Sequence, residues 1–254
     1  MEDITDTAYR YFGDNETVQK TLESIRGYMP TVAHWAWNGN ARRYWDFSVA
    51  GGIARIERQI HHYGSPLNAI PFLDAYKYHH EPNGSAALHD LRVGFGGWQG
   101  ALTNINDAGF GSQGFHAWPE TMEWDPYSSD YGCGLLGHMI SSTTFLVENS
   151  DFGYLSFGGN LVNSGDTIKV EPKDTVRRQI YVAPLGLKFE VNAGVIEEFT
   201  YDITTKAVSI QIGEGESKSG GLAMIRWEST LGYDVKTQQG SHITLPDEVG
   251  FALS

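Results

Sequence analysis

Hydrophobic residues recur at helical spacing in the first half of the chain and alternate with polar ones in the second. In ETVQKTLESIRGYM (16–29), Val18, Leu22, Ile25 and Met29 share one face, and Pro30 ends the segment. IARIERQIHHYG (53–64) places Ile53, Ile56 and Ile60 together, with Gly64 as a cap. SPLNAIPFLDAYKYHH (65–80) opens on Ser-Pro, a good helix start, although Pro71 is expected to bend or delay it. ALHDLRVGFGGWQGAL (87–102) reads as a weaker helix. GCGLLGHMISSTTFLVEN (132–149) reads as a buried one, apolar on most sides. Residues 103–132 keep no period and form a long aromatic loop.

After residue 150 the grammar changes. FGYLSFGGNLVNS, TIKVEP, RRQIYVAPLGLKFEVN, VIEEFTYDI, AVSIQIG, GLAMIRWES and HITLP are short strand-type runs, with NAG, TTK and GEGESKSGG as turns between some of them. The fold class that follows is α+β. A helical domain is expected over 1–150 and an antiparallel β-sandwich over 151–254.

Composition narrows the functions. The 254 residues carry a net charge of −13, which argues against nucleic acid and against a basic membrane-surface helix. No apolar run reaches the ~20 residues of a membrane span. The N-terminus, MEDITDTAYRYF, is acidic and polar, so this chain shows no signal peptide. The single cysteine, Cys133, allows no intrachain disulfide and reads as a buried thiol. The 30 glycines and 13% aromatics suit tight turns with flat side chains between them, a composition shared with many proteins that handle sugars. Six of the seven tryptophans and eight of the nine histidines precede residue 151, so a site is expected mainly in the helical half.

The densest chemistry is HWAWNGNARRYWDF (34–47). One tryptophan or one ion pair here would read as core. Polar groups interleaved with three tryptophans are harder to bury, because each needs a partner. A sugar groove suits the mixture: rings meet pyranose C–H faces while polar groups meet hydroxyls. Trp35, Trp37, Asn38, Arg42 and Arg43 are therefore candidate substrate-binding residues, with His34 and Tyr44 as candidate catalytic groups. FHAWPETMEWDPYSSDYG (115–132) supplies Glu120, Asp125 and Asp130 as candidate catalytic carboxylates, since glycosidic hydrolysis needs one protonated and one ionised carboxyl flanking the bond. Trp118 and Trp124 could raise the pKa of the acid, and His116, Tyr127 and Tyr131 could contact hydroxyls. The bland alternative is a set of solvated loop acids. Trp98, in GFGGWQG, joins the candidate binding aromatics. That glycine run is not a dinucleotide fingerprint, and no phosphate loop or nucleophile elbow is present, so no cofactor is expected. His61 and His62 are adjacent rather than four apart, so metal is not expected either.

HWAWNGNARRYWDF, RIERQIHHYGSPLNAIPFLDAY and FHAWPETMEWDPYSSDYG, with SFGGN at the junction, resemble a group of secreted bacterial and fungal proteins that is similar to six-hairpin glycosidases. The resemblance covers residues 30–212. It implies an (α/α)-toroid with its cleft at the loop ends, a β-sandwich alongside, and an extracellular or periplasmic location. It assigns no catalytic residues. A full toroid has about twelve helices, so the chain is expected to be the C-terminal part of a longer enzyme or a truncated product. Three functions stay open: a glycoside hydrolase acting on an oligo- or polysaccharide, a polysaccharide lyase acting on a uronate polymer, and a non-catalytic carbohydrate-binding fragment.

Overall fold

The computed structural model describes residues 15–27, 31, 48–49, 53–54, 64–100, 102, 138–139, 142–174, 178–191, 194–213 and 225–231. The chain forms two compact units. One comprises Met1–Ala75 with His89–Ser141, the other Tyr76–Leu88 with Ser142–Ser254.

The helical unit contains α1 (Asn15–Arg26), most of α2 (Gly64–Lys77) and most of α3 (Ser85–Gly100). α1 buries Val18, Leu22 and Ile25, the expected face, against Phe72 and Val93. Its opposite face carries the exposed pair Glu16–Lys20, and Gly27 closes it three residues before Pro30. α2 runs through Pro71 without stopping. The proline removes one bond to the Leu67 carbonyl, at a cost of about 3 kcal/mol. Burial of Ala69, Phe72 and Leu73 offsets that, each large side chain being worth roughly 1.5–3 kcal/mol. α3 passes close to α2 at Gly94, where a Cβ would lie 2.9 Å from both Phe72 Cβ and Leu73 Cδ2. The Arg26 guanidinium clamps Asp90 in two parallel hydrogen bonds, of 2.7 and 2.6 Å, and lies 5.7 Å from the Phe72 ring centre.

Two expected helices are corrected. Ile53–Ala54 (β2) pair antiparallel with Ser48–Val49 (β1) instead of opening a helix, and 55–63 lie outside the described residues. β-branched and small residues fit such a ladder at least as well as a helix start. In 132–149, Thr144–Asn149 form a strand, β3; the described helical residues of that segment are His138 and Met139. A short run that is apolar on all sides fits a strand buried on both faces as well as a buried helix, and the period cannot separate them. Here Thr143, Thr144, Phe145 and Val147 favour the strand.

The β unit contains β3, β4 (Gly153–Phe157), β5 (Gly159–Ser164), β6 (Thr167–Pro172), β7 (Gln179–Val182), β8 (Leu187–Val191), β9 (Val195–Asp202), β10 (Val208–Gly213) and β11 (Ile225–Ser229). One sheet has the order β10-β9-β6-β5, the other β11-β8-β7-β3-β4. They share one core, built from alternate residues such as Ile168, Val170, Phe199 and Tyr201 of the first sheet and Leu146, Ile180, Leu187 and Phe189 of the second. The pair of sheets is sandwich-like, as the strand pattern predicts. The pairing is mostly antiparallel, corrected at one place: β3 and β7 run parallel. The three helices among the described residues are too few for an (α/α)-toroid, so that part of the expected fold class is corrected as well.

SFGGN is the corner between the sheets. Gly158 sits at φ +85° between β4 and β5, and a Cβ on Gly159 would lie 2.8 Å from Val170 Cγ1 and 2.9 Å from the Glu171 carbonyl oxygen. Both positions are therefore restricted to glycine by backbone shape or by space. On the other face of the five-stranded sheet, Tyr76 at the end of α2 packs edge-on against Phe145 and Tyr181, with ring centres 5.7 Å away in each case. That layer explains why β3 is buried at four successive positions and β7 throughout.

Candidate functional site

Strand alternation sends Leu187, Phe189 and Val191 of β8 into the core and leaves Lys188 and Glu190 on the outer face. β11 pairs antiparallel with β8, placing Arg226 opposite Glu190, Trp227 opposite Phe189 and Glu228 opposite Lys188. The four charged side chains thus share one face, in a depression of about 340 Å³ lined by Lys188, Glu190, Arg226, Trp227 and Glu228. Trp227 points by alternation to the opposite face. Among the described residues β11 is the last strand of its sheet, so no further strand covers the indole, which is 45% exposed.

The rim is tied down by the turn after α2. The Tyr78 hydroxyl donates to Glu228 Oε1 at 2.7 Å, and Lys188 Nζ lies 3.9 Å from Glu228 Oε2. One residue earlier, the Lys77 carbonyl accepts a 2.8 Å hydrogen bond from the Tyr181 hydroxyl. Burial pushes the Tyr181 phenol up to about 12, so it stays a neutral donor at any physiological pH. Tyr78 itself is 49% exposed. The exposed Tyr78 ring therefore stands beside a guanidinium, an ammonium and two carboxylates, while the Trp227 indole lies on the other face of the strand. Such a set can hold a ring by its C–H face and bond hydroxyls or charged substituents at its rim.

The residues singled out from sequence fall elsewhere. His34, Trp35, Trp37, Asn38, Arg42, Arg43, Tyr44, His116, Trp118, Glu120, Trp124, Asp125, Tyr127, Asp130 and Tyr131 lie outside the described residues. Trp98 is described and is 4% exposed, inside the helical unit. Its indole N–H donates to the His138 carbonyl at 2.7 Å, its ring stacks on the His138 imidazole at 4.9 Å, and His138 Nδ1 donates to the Trp98 carbonyl at 2.8 Å. Its polar groups are thus already satisfied within the protein. Sequence reasoning missed Tyr78, Lys188, Glu190, Arg226, Trp227 and Glu228. Two signals pointed to them: the lone tryptophan of the β half, and charges two apart on two strands, Lys188 with Glu190 and Arg226 with Glu228. Among the described residues no group of three or more His, Cys, Asp or Glu could hold a metal, and no helix is long and apolar enough to cross a membrane.

A family model described as a family of unknown function (DUF5695) matches residues 7–249. No curated protein matches the chain, and no solved structure matches it. The resemblance to six-hairpin glycosidases thus gains no support from these comparisons.

Proposed function

We propose that this chain, which belongs to the family of unknown function DUF5695, is a carbohydrate-active protein that binds an oligo- or polysaccharide and hydrolyses its glycosidic bonds. The observation that carries the binding half of this reading is the β8–β11 depression, where exposed Tyr78 reaches Glu228 among four charged side chains. The hydrolytic half is supported by residue chemistry in the helical half. In the sequence, Glu120, Asp125 and Asp130 neighbour Trp118, Trp124 and Tyr127, and HWAWNGNARRYWDF is a second stretch rich in aromatic and polar residues. In this reading one loop carboxyl, kept protonated by apolar neighbours, gives its proton to the leaving oxygen. A second, about 5–10 Å away, either attacks the sugar or activates water. Secretion is part of the same proposal, since polymeric glycans lie outside the cell.

A second reading is a non-catalytic glycan-binding protein. It is favoured by the same depression, whose Glu228 is committed to Tyr78 and Lys188 instead of standing free for acid–base work. One experiment separates the readings. The protein is incubated with a panel of neutral and acidic polysaccharides, and both new reducing ends and unsaturated-uronate absorbance are followed. Reducing ends without the absorbance, lost in Glu120→Gln or Asp130→Asn, support hydrolysis. The absorbance itself identifies a lyase. Binding by affinity electrophoresis with neither signal supports the binding-only reading, and no binding to any glycan overturns the proposal.

A further inference from the structure

We infer that the β8–β11 depression is a subsite for glycans that carry carboxylate groups, with Arg226 as the residue that engages the carboxylate. The inference rests on the carbohydrate reading above and adds the class of sugar to it. It follows from which charges in the depression are already committed. Glu228 accepts the Tyr78 hydroxyl at 2.7 Å and faces Lys188 at 3.9 Å, so the ammonium and that carboxylate largely cancel. Glu190 is engaged in a contact of its own. Arg226 is exposed and stands across the ladder from Glu190, yet among the described residues no carboxylate lies within 4.0 Å of its guanidinium. The four charges of the depression sum to zero, and Arg226 is its cation without a carboxylate partner among the described residues, in a chain whose net charge is −13.

The chemistry of that group selects the ligand. A guanidinium presents a planar fork of N–H donors that matches a carboxylate in two parallel bonds. The same side chain already does this inside the protein, where Arg26 holds Asp90. A uronate residue resting against Tyr78 would offer its ring to the aromatic face and its carboxylate to Arg226. A neutral sugar would gain the first contact only. Because the site is open to solvent, the added bond is partly screened, and its effect should weaken as salt rises.

The test uses the full chain and two probes that differ only in charge: trigalacturonate and its fully methyl-esterified form. Affinities are measured by calorimetry at low and at physiological salt. The wild-type protein should prefer trigalacturonate by about tenfold at low salt, a difference of about 1.4 kcal/mol, and by less at physiological salt. Arg226→Gln should abolish the preference, lowering affinity for trigalacturonate about tenfold more than affinity for the ester. Arg226→Lys should keep part of it, as a point charge without the fork. Equal affinities in the wild type overturn the inference, as does a preference that survives Arg226→Gln. If neither trisaccharide binds but neutral xylo- or gluco-oligosaccharides do, the carboxylate inference falls and the carbohydrate reading stands. If no oligosaccharide binds, both fall.

Discussion

Gly186→Ala tests whether the β8–β11 edge is held as described. Gly186 caps the 3-10 turn Ala183–Leu185 that joins β7 to β8, at φ +57° and ψ +40°, with its N–H on the Ala183 carbonyl. A left-handed conformation costs an alanine about 1–2 kcal/mol. Space adds a second cost. A Cβ at Gly186 would lie 2.4 Å from Leu231 Cγ and 2.9 Å from Thr230 Oγ1. Those residues follow β11 directly, and both the Thr230 N–H and hydroxyl donate to the Gly186 carbonyl, at 2.8 and 3.0 Å. Overpacking of this kind costs typically 1–3 kcal/mol. The expected total is therefore about 2–5 kcal/mol. Gly165→Ala is the control: φ is +64° there, but nothing lies within 4 Å of a new Cβ, so only the strain of about 1–2 kcal/mol applies. The difference between the two isolates the contact with the end of β11. The assay is urea unfolding of the full chain, with hydrogen exchange of 180–191 and 225–231 to localise the loss. Exchange in 225–231 should rise most in Gly186→Ala, and glycan affinity should fall with it, because Thr230 anchors the strand that carries Arg226, Trp227 and Glu228. Equal destabilisation by the two substitutions would refute the packing of Leu231 on Gly186, and with it the fixed edge on which the site depends.

The Arg26–Asp90 clamp is partly buried, with side-chain exposures of 28% and 11%, so Asp90→Asn should destabilise the helical unit by about 1–3 kcal/mol, read as a lower urea midpoint. Full wild-type stability in that variant would show the pair to be energetically idle. Tyr181 predicts a pH effect: its pKa is raised to about 12 by burial, whereas an unfolded tyrosine titrates near 10. Its contribution is intact below pH ~10 and is lost as pH rises from ~10 to ~12, so Tyr181→Phe should flatten stability in that window, and an unchanged slope would remove Tyr181 as its source. Gly159→Ala, which would press a methyl group against Val170 and the Glu171 carbonyl, should lower stability by about 1–3 kcal/mol, read as a lower urea midpoint.

The fold was legible where one face of an element decides its energy. Val18, Leu22 and Ile25 mark α1 because burying that stripe is what holds the helix, and they are 3%, 0% and 0% exposed. The strands of the second half were legible for the same reason at period two: β8 alternates buried and partly exposed positions over its whole length. Legibility failed where burial is two-sided. β3 is covered by the sandwich core through Leu146 and by Tyr76 on the other face through Phe145, so its sequence shows no alternation to read. Pro71 did not delay the helix, which runs from Gly64 to Lys77, because a local rule lost to tertiary burial. The glycines of SFGGN stood out as a motif, but the reason for them, a crossing between sheets packed against Val170 and Thr144, exists only once both sheets are built.

The depression was illegible for a more general reason. Its charged residues come from two strands about forty positions apart, and each pair taken alone looks like the solvated face of an ordinary strand. Lys188 and Glu190 acquire chemical meaning only through the register that sets them opposite Glu228 and Arg226. A one-residue slip of β11 would place Trp227 on the outer face and remove both arginine and glutamate from it. The register is held from outside the site, by Thr230 on the Gly186 carbonyl and by Ile225 packed against the core. Sequence density drew attention to the tryptophan-rich helical half because aromatic and polar residues there are neighbours in the chain. In a sandwich, binding groups need be neighbours only across a ladder. The better signal is then a pair of strands whose outward positions carry opposite charges in complementary order, with an aromatic residue that alternation leaves at the sheet edge. Lys-Glu on β8 against Arg-Glu on antiparallel β11 meets that pattern, and it can be sought in other members of the family from sequence alone.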